Sequence, residues 1–297
     1  MDKFIALSDP GVKNNYLLTD QYFVSRKYNE AISEAKKIIS IESAKTKPRI
    51  YKLLAFSYDA LKDGRNAEEN LKLYFEKADD SLYTPDDFEL MAKIAETNKE
   101  DSMVSIWYEK ALTLQPDPKK KADIVKKIIA VDKKLKLYDK QAYWFGQLRL
   151  LPAEMSNVDI FNWGVANYNA KDYVAADSVF GIYATKYPEQ SFGYYWRARS
   201  NAAMDTAMET GIAIPHYENL IRVASKDSLN ANNKKWLIQA YGYIAAFKVN
   251  TEKKYDDALV YYDKILQLDP GNNDAEKYKE ILEKMIESKA PSDKPRE

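Results

Sequence analysis

The chain has 297 residues, and its 45 basic side chains balance its 45 acidic ones, so the formal net charge is zero. A nucleic-acid-binding domain usually has a clear basic excess, and no apolar run approaches the roughly 18 residues that a membrane helix needs. The chain has no cysteine and a single histidine, His216, which excludes thiolate metal sites and catalytic groups built on two histidines. Only 9 Gly and 11 Pro are present, and this scarcity of turn residues favours long helices over a β-sandwich or barrel. We therefore expect an all-α protein without a cofactor or metal, and no nucleic-acid partner.

The first residues resemble the end of a helix near the other terminus. Residues 5–11 (IALSDPG) follow the same pattern as residues 265–271 (ILQLDPG). Residues 1–10 are therefore predicted to be the end of a helix whose partner helix is missing, the remnant of a preceding unit of the repeats described below, in a fragment that lacks the earlier repeats and the export signal. The alternative is a short natural helix that caps the apolar end of a stack of repeats.

Small residues recur along the chain at a nearly constant interval. One series of positions falls 35 to 37 residues apart, with a last step of 45, and a second series precedes it by about a dozen residues. Such a period indicates repeated helical hairpins, whose two helices cross closely where the side chain is small. Gln141 in the first series and Ile129 in the second are not small, so the fourth hairpin, about residues 119–151, is the least regular. The second-helix positions are Ala31, Ala67, Val104, Gln141, Ala176, Ala213 and Ala258; the first-helix positions are Thr19, Ala55, Ala92, Ile129, Gly164, Ala198 and Ala240.

The clearest hairpin runs from Ile160 to Pro188. It contains Trp163-Gly164, then Lys171-Asp172-Tyr173, then Ala176, Phe180 and the closing proline. This order of small, aromatic and proline residues resembles the tetratricopeptide repeat. The resemblance implies an α-solenoid, a right-handed superhelix of about seven hairpins, whose first helices line a concave groove that holds a protein or peptide.

The fourth hairpin is rich in lysine, and its groove positions include Lys126, Lys127, Lys133 and Lys134. A run of charge is usually a solvated face; the alternative is a positive patch for acidic segments or anionic lipid. Chaperone-binding members of the family hold a carboxylate with lysines and asparagines. Lys126 and Asn162 match two of those places, but Ala130, Phe192 and Trp196 do not, which argues against that function here.

The groove positions of the fifth and sixth hairpins are aromatic and polar. Flat rings and planar polar groups bind partners with little loss of entropy, so this set is the candidate partner-binding site. The alternative is that the rings pack against neighbouring helices. The residues are Phe161, Asn162, Tyr168, Asn169, Tyr195, Trp196 and Arg199.

The sixth hairpin has extra residues at 204–211, and insertions in a solenoid often lie at a binding edge. Its segments at 194–205 and 214–218 resemble repeat proteins of the bacterial cell envelope, which favours an envelope or periplasmic location. His216 is expected to be a surface or packing residue.

After the seventh hairpin, residues 272–288 have apolar residues at helical spacing and are predicted to form a capping helix. Residues 1–289 are thus predicted to be one solenoid domain, followed by a polar tail at 290–297.

Three functions follow from these patterns. The first is a non-catalytic scaffold that binds a protein or peptide. The second is an envelope protein that binds glycans on exposed aromatic rings. The third, an enzyme such as a toroidal helical glycosidase, needs two carboxylates across a cavity, and no such pair stands out among the 45 acidic residues.

Overall fold

The computed structural model describes residues 12–152 and 154–289, and within these ranges it contains fifteen α-helices and no β-strand. The all-α prediction is therefore confirmed. The predicted N-terminal remnant and the polar tail lie outside the described residues. Inter-residue contacts divide the chain into two compact units, with the boundary in the sequence after residue 153. The single domain over residues 1–289 stays a prediction.

Unit 1 contains four consecutive helical hairpins. Each pairs a first helix with a second helix through a turn of a few residues. The helices are α1 (Val12–Val24), α2 (Tyr28–Glu42), α3 (Arg49–Ala60), α4 (Gly64–Lys77), α5 (Pro85–Thr97), α6 (Asp101–Leu114), α7 (Pro118–Lys134) and α8 (Tyr138–Leu150).

Unit 2 contains three more hairpins and one further helix. That last helix packs on the second helix of the last hairpin, where Ala275 and Leu282 are buried. The helices are α9 (Asn157–Asn169), α10 (Tyr173–Lys186), α11 (Ser191–Met204), α12 (Ile214–Ala224), α13 (Ala231–Phe247), α14 (Tyr255–Leu268) and α15 (Asn273–Lys289).

The helix crossings lie where the small residues predicted them. All seven second-helix positions and all seven first-helix positions are buried, including the exceptions Gln141 and Ile129. At Gly164 the approach is so close that a Cβ atom there would lie 2.5 Å from Cζ of Phe180. The fourth hairpin thus keeps the same crossing, with larger side chains at the crossing point.

The turns within the hairpins repeat as regularly as the crossings. In each of the first five hairpins, two successive backbone N–H groups of the turn donate to carbonyl groups at the end of the first helix. The first donates to the carbonyl three residues earlier and the second to the carbonyl five residues earlier, as Lys62 does to Asp59 and Asp63 to Tyr58. This is the Schellman arrangement, which needs a left-handed residue and usually has glycine there. Here that residue stands five positions before each second-helix crossing in all seven hairpins, and six of the seven are basic: Arg26, Lys62, Lys99, Lys136, Lys171, Met208 and Lys253. A cation at this place is favourable because the helix C-terminus has partial negative charge.

Candidate functional site

The seven candidate residues of the fifth and sixth hairpins lie on two first helices of unit 2. Phe161, Asn162, Tyr168 and Asn169 are on α9, and Tyr195, Trp196 and Arg199 are on α11. A capping box fixes the start of α9: the Ser156 hydroxyl accepts the backbone N–H of Asp159, whose carboxylate accepts the backbone N–H of Ser156. This pairing stabilises the helix start and so fixes the position of Phe161 one turn further on.

Arg199 is surrounded by three of the predicted rings. Its guanidinium carbon lies 4.9 Å from the ring centre of Trp196, 5.1 Å from that of Tyr168 and 5.7 Å from that of Tyr195. Each such contact is worth roughly 0.5–2 kcal/mol, depending on its exposure to water. The rings therefore hold one positive charge in a fixed place on this face.

Trp196 is half-buried and packs against several rings. It stacks on Phe180, with ring centres 5.6 Å apart and an angle of 15° between the planes. The rings of Phe161, Tyr168 and Tyr195 lie at 76° to it, with ring centres 5.1 to 6.3 Å away. Part of its surface therefore stabilises the fold, and the exposed remainder is available to a partner.

Tyr195 is buried, with 8% of its surface exposed. Its ring stacks on Trp236 at 4.6 Å, and its hydroxyl donates to Oε1 of Gln239 over 3.2 Å. Both contacts link α11 to α13. Tyr195 therefore packs between helices, as the alternative interpretation of the aromatic set predicts.

Two exposed apolar residues that were not among the seven predicted site residues complete this face. Val158 is 58% exposed and Phe192 is 40% exposed. Val158 stands three positions before Phe161, and Phe192 stands three positions before Tyr195. Residues three apart are neighbours on a helix surface, so this spacing from a predicted residue is the signal by which the sequence could have identified both. Together with half-buried Phe161 they line an open depression of about 250 Å³, whose other residues are Asn157, Tyr183 and Gln190.

A second depression, of about 180 Å³, lies on the other side of Phe192 between the starts of α11 and α13. It is rich in amide side chains. Asn230 caps α13 by accepting two backbone N–H groups, and Asn233 donates to the carbonyl of Asp227. Besides Phe192, its lining consists of Glu189, Gln190, Ser191, Asn230, Asn232, Asn233 and Trp236.

The remaining predicted amides differ in exposure: Asn162 is half-buried, and Asn169 is exposed at the last residue of α9. Behind α11, Asp177 accepts from Arg197 and from Asn201. His216 is half-buried near this pair, and burial, together with the Arg197 charge, lowers its pKa below the ordinary value. The histidine is therefore expected to be neutral near pH 7, in agreement with a packing role.

Asp205 organises the inserted segment of the sixth hairpin. Its carboxylate accepts the backbone N–H groups of Glu209, Thr210 and Gly211 and the Thr210 hydroxyl. These bonds hold the pKa of Asp205 below its ordinary value against the effect of burial. The insertion therefore forms a turn with a carboxylate at its centre.

The four candidate lysines of the basic patch lie on α7 in unit 1, and all are exposed. Lys127 pairs with Glu89 at 2.6 Å and lies over the ring of Tyr108, and Lys134 pairs with Asp101 at 2.7 Å. These pairs reduce the excess positive charge at two of the four positions. The arrangement supports the solvated-face interpretation, and the patch as a binding site stays a prediction.

None of the helices over the described residues has an uncharged apolar stretch of the length that a lipid bilayer requires. Among the described residues, no group of three or more histidine or acidic side chains is placed to hold a metal ion.

No protein-family model matches the sequence, and no curated protein matches it. Several solved structures are similar to this chain. The C-terminal part of a tetratricopeptide-repeat protein from Cytophaga hutchinsonii is 29% identical, with a TM-score of 0.51 over 88% of this chain and 97% of that one. A chain in the structure of Naa15/Naa10 bound to HypK-THB is 14% identical, with a TM-score of 0.62 over 91% of this chain and 39% of that one, and this likeness concerns the fold alone. The similarity to the Cytophaga protein and the seven hairpins with buried small-residue crossings lead to one conclusion: the chain is a repeat protein of the tetratricopeptide type.

Proposed function

We propose that this chain is a non-catalytic scaffold that binds a protein or peptide segment on the face formed by α9 and α11. The family-level role of tetratricopeptide-type folds as protein-interaction scaffolds supports the general function. The observation that supports this location is the exposed apolar pair Val158 and Phe192 beside an open depression of about 250 Å³. Exposed apolar surface that adjoins a concavity is typical of interaction sites.

The chemistry of this face defines the segment that it suits. The depression beside Phe161 accepts an apolar side chain. The rim amides Asn157 and Gln190 each have two N–H donors on their nitrogen, which suits the carbonyl groups of an extended backbone. Arg199 adds a positive charge, so the proposed ligand is an extended segment with a large apolar side chain and a nearby carboxylate.

A selection experiment tests this proposal. Random peptides displayed on phage are selected on the full chain, and the winning peptides are measured by calorimetry against the wild type and Phe192→Ala. We expect Phe192→Ala to weaken binding about thirtyfold, which corresponds to about 2 kcal/mol, a hot-spot value. Tyr143→Ala, which removes a ring in unit 1 that is 58% exposed against 40% for Phe192, serves as the control and should bind as the wild type does.

Trp196→Ala separates binding from folding. The exposed part of this ring predicts weaker binding, and its stack on Phe180 predicts some loss of stability. Binding is therefore measured at a temperature where circular dichroism shows the variant folded. Selected peptides that bind Phe192→Ala and Trp196→Ala as tightly as the wild type would refute the proposed location.

The glycan function remains a second candidate because of the amide-rich depression beside Phe192 and Trp236. An aromatic ring with several amides around it suits the apolar face and the hydroxyl groups of a sugar. A screen of soluble oligosaccharides against the same variants distinguishes the two. Oligosaccharide binding that is lost in Phe192→Ala, with no peptide selected, would replace the peptide proposal by the glycan one.

A further inference from the structure

Unit 2 has another cavity, formed by residues later in the chain than those of the α9–α11 face. It is an open groove of about 550 Å³ between α13 and α15, with α14 as its floor. This volume falls within the range of about 300–1,000 Å³ that is usual for ligand sites. The apolar part of the lining consists of Ile238, Gly242, Ala246, Val249, Tyr262, Ile265, Ala275, Tyr278, Ile281, Leu282 and Met285.

The groove is wide because Gly242 leaves space on the α13 side. A Cβ atom at this position would meet a single neighbour, Cδ1 of Ile265, at 4.0 Å. The other helical glycines at crossings in this unit are different: a Cβ at Gly164 or Gly193 would approach neighbouring atoms to 2.5 and 3.0 Å. Helix packing therefore does not require glycine at position 242, and a larger side chain there would enter the groove.

The α15 side of the groove exposes more apolar surface than a terminal helix needs. Tyr278 is 53% exposed and Ile281 is 43% exposed, while Ala275 and Leu282 cover α14. A capping helix usually has a polar outer face. Tyr278, Ile281 and Met285 follow one another at intervals of three and four residues, so they form a stripe along one side of the helix.

Charge at one end of the groove indicates the character of an occupant. Asp274 is the one Asp, Glu, Lys, Arg or His in the lining. The other polar groups there are the amides of Asn250 and Asn272 and the hydroxyls of Tyr262 and Tyr278. The pair of Lys234 and Asp269, at 3.8 Å, joins the start of α13 to the turn before α15, which places Asp274 at the same end of the groove as Ile238. This end has an exposed carboxylate, and no lysine or arginine is among the lining residues.

We propose that this groove is a second, independent docking site, which takes the apolar face of an amphipathic helix of a partner protein with a basic residue beside that face. On this side the lining runs from Ile238 in α13 to Val249, two residues past the end of that helix. The distance is about 16 Å at 1.5 Å per residue, so it suits about three turns of a helix. Large apolar side chains one turn apart fill the groove, and a lysine or arginine one turn beyond them pairs with Asp274.

The test uses a defined synthetic probe and the full chain. The probe is an alanine-based helical peptide with leucines one turn apart on one face and a lysine one turn beyond them; a second peptide has glutamate in place of that lysine. Binding is followed by fluorescence anisotropy. We expect the lysine peptide to bind more tightly than the glutamate peptide and more tightly than a scrambled peptide of the same composition.

Three variants make the result specific. Gly242→Met fills the groove and should weaken binding of the lysine peptide at least tenfold, while thermal melting shows that the fold is kept. Asp274→Asn should remove the preference for lysine over glutamate. Gly64→Met, at another glycine with open space around its Cβ position, is the matched control in unit 1 and should bind as the wild type does.

Two results would overturn the proposal: a wild type that does not distinguish the lysine peptide from the scrambled one, or an unchanged affinity in Gly242→Met. Phe192→Ala should leave probe binding unaltered. The failure of this proposal is thereby distinguishable from failure of the α9–α11 site.

Discussion

Gly164 and Gly242 both lie within helices of unit 2, but a side chain would have very different consequences at the two positions. A Cβ at Gly164 would lie 2.5 to 2.8 Å from three atoms of the Phe180 ring, whereas at Gly242 the nearest contact is at 4.0 Å. The first glycine is therefore needed for the close crossing of α9 and α10. The second is tolerated at a cost, because glycine weakens a helix interior.

These surroundings predict opposite effects of substitution. Gly164→Leu should destabilise the chain by about 1–3 kcal/mol through overpacking. Gly242→Ala should stabilise it by about 0.5–1 kcal/mol through better helix propensity. Urea unfolding midpoints of the two variants measure both effects, and an unchanged midpoint for Gly164→Leu would contradict the crossing assigned here.

The left-handed lysines at the hairpin turns allow a similar comparison. Lys136 has φ of 57°, a conformation that costs a residue with a side chain about 1–2 kcal/mol. Lys136→Gly should therefore stabilise unit 1 by up to about 1 kcal/mol. Lys133→Gly, one turn earlier in α7, should destabilise it by a similar amount, about 1 kcal/mol. Chemical denaturation measures the change in unfolding free energy for each variant. Changes of opposite sign would confirm that Lys136 is the left-handed residue of the turn, and changes of the same sign would refute it.

Asp132 predicts a dependence of stability on pH. Its side chain is fully buried, one carboxylate oxygen accepts the Ser105 hydroxyl at 3.0 Å, and the other has no hydrogen-bond partner. Burial raises the pKa of this carboxyl above its ordinary value. Because the unfolded chain loses the proton at lower pH, the folded state loses stability as pH rises from the unfolded pKa to the folded one. Below both values the effect vanishes.

Asp132→Asn removes this penalty and keeps an oxygen for Ser105. We therefore expect the variant to be more stable than the wild type near pH 7, with the difference shrinking as pH falls to about 4, the ordinary aspartate range. Urea unfolding at the two pH values measures this. A difference that grows towards low pH would show that the carboxylate is stabilised in the fold.

Helix α15 has a buried face and an exposed one. Leu282 is buried against α14, and its neighbour Ile281 is largely exposed in the groove. Leu282→Ala should destabilise the chain by about 2–5 kcal/mol, and Ile281→Ala by less than about 1 kcal/mol. Thermal unfolding of both variants tests whether this helix is a structural cap; equal effects would contradict the assignment.

The hairpins were predictable because close helix crossings restrict side-chain size, and such positions recur in the sequence at a fixed interval. Ala67 or Gly164 could be located in this way, and so could the fourth hairpin in spite of Gln141. The turn lysines were not recognised, because a left-handed residue is usually glycine and lysine has no such signature.

The candidate site was predictable in part. Spacing placed Phe161 and Arg199 on first helices, but it did not show which rings stack on a neighbouring helix. Tyr195 is buried because Trp236 of α13 covers it, and that contact is distant in sequence. Val158 and Phe192 are exposed for the opposite reason: the depressions beside them leave no helix against their outer faces.

At the scale of the whole molecule, the two units use their first helices differently. In unit 1, ion pairs join successive first helices: Asp20 with Arg49, Lys52 with Asp87, Asp59 with Lys93, and Glu89 with Lys127. In unit 2, the first helices α9 and α11 present rings, amides and Arg199. Four acidic side chains on the unit 1 face are thus paired with basic side chains of a neighbouring first helix. The unit 2 face has apolar surface and a cation available to a partner.

A partner segment that binds on α9 and α11 should protect the backbone amides of these two helices. Hydrogen–deuterium exchange of the full chain, measured with and without a peptide selected on it, detects this protection. We expect slower exchange over residues 157–169 and 191–204 when the peptide is bound, with unit 1 unchanged. Protection confined to α7 and its lysines, or absent from both α9 and α11, would contradict it.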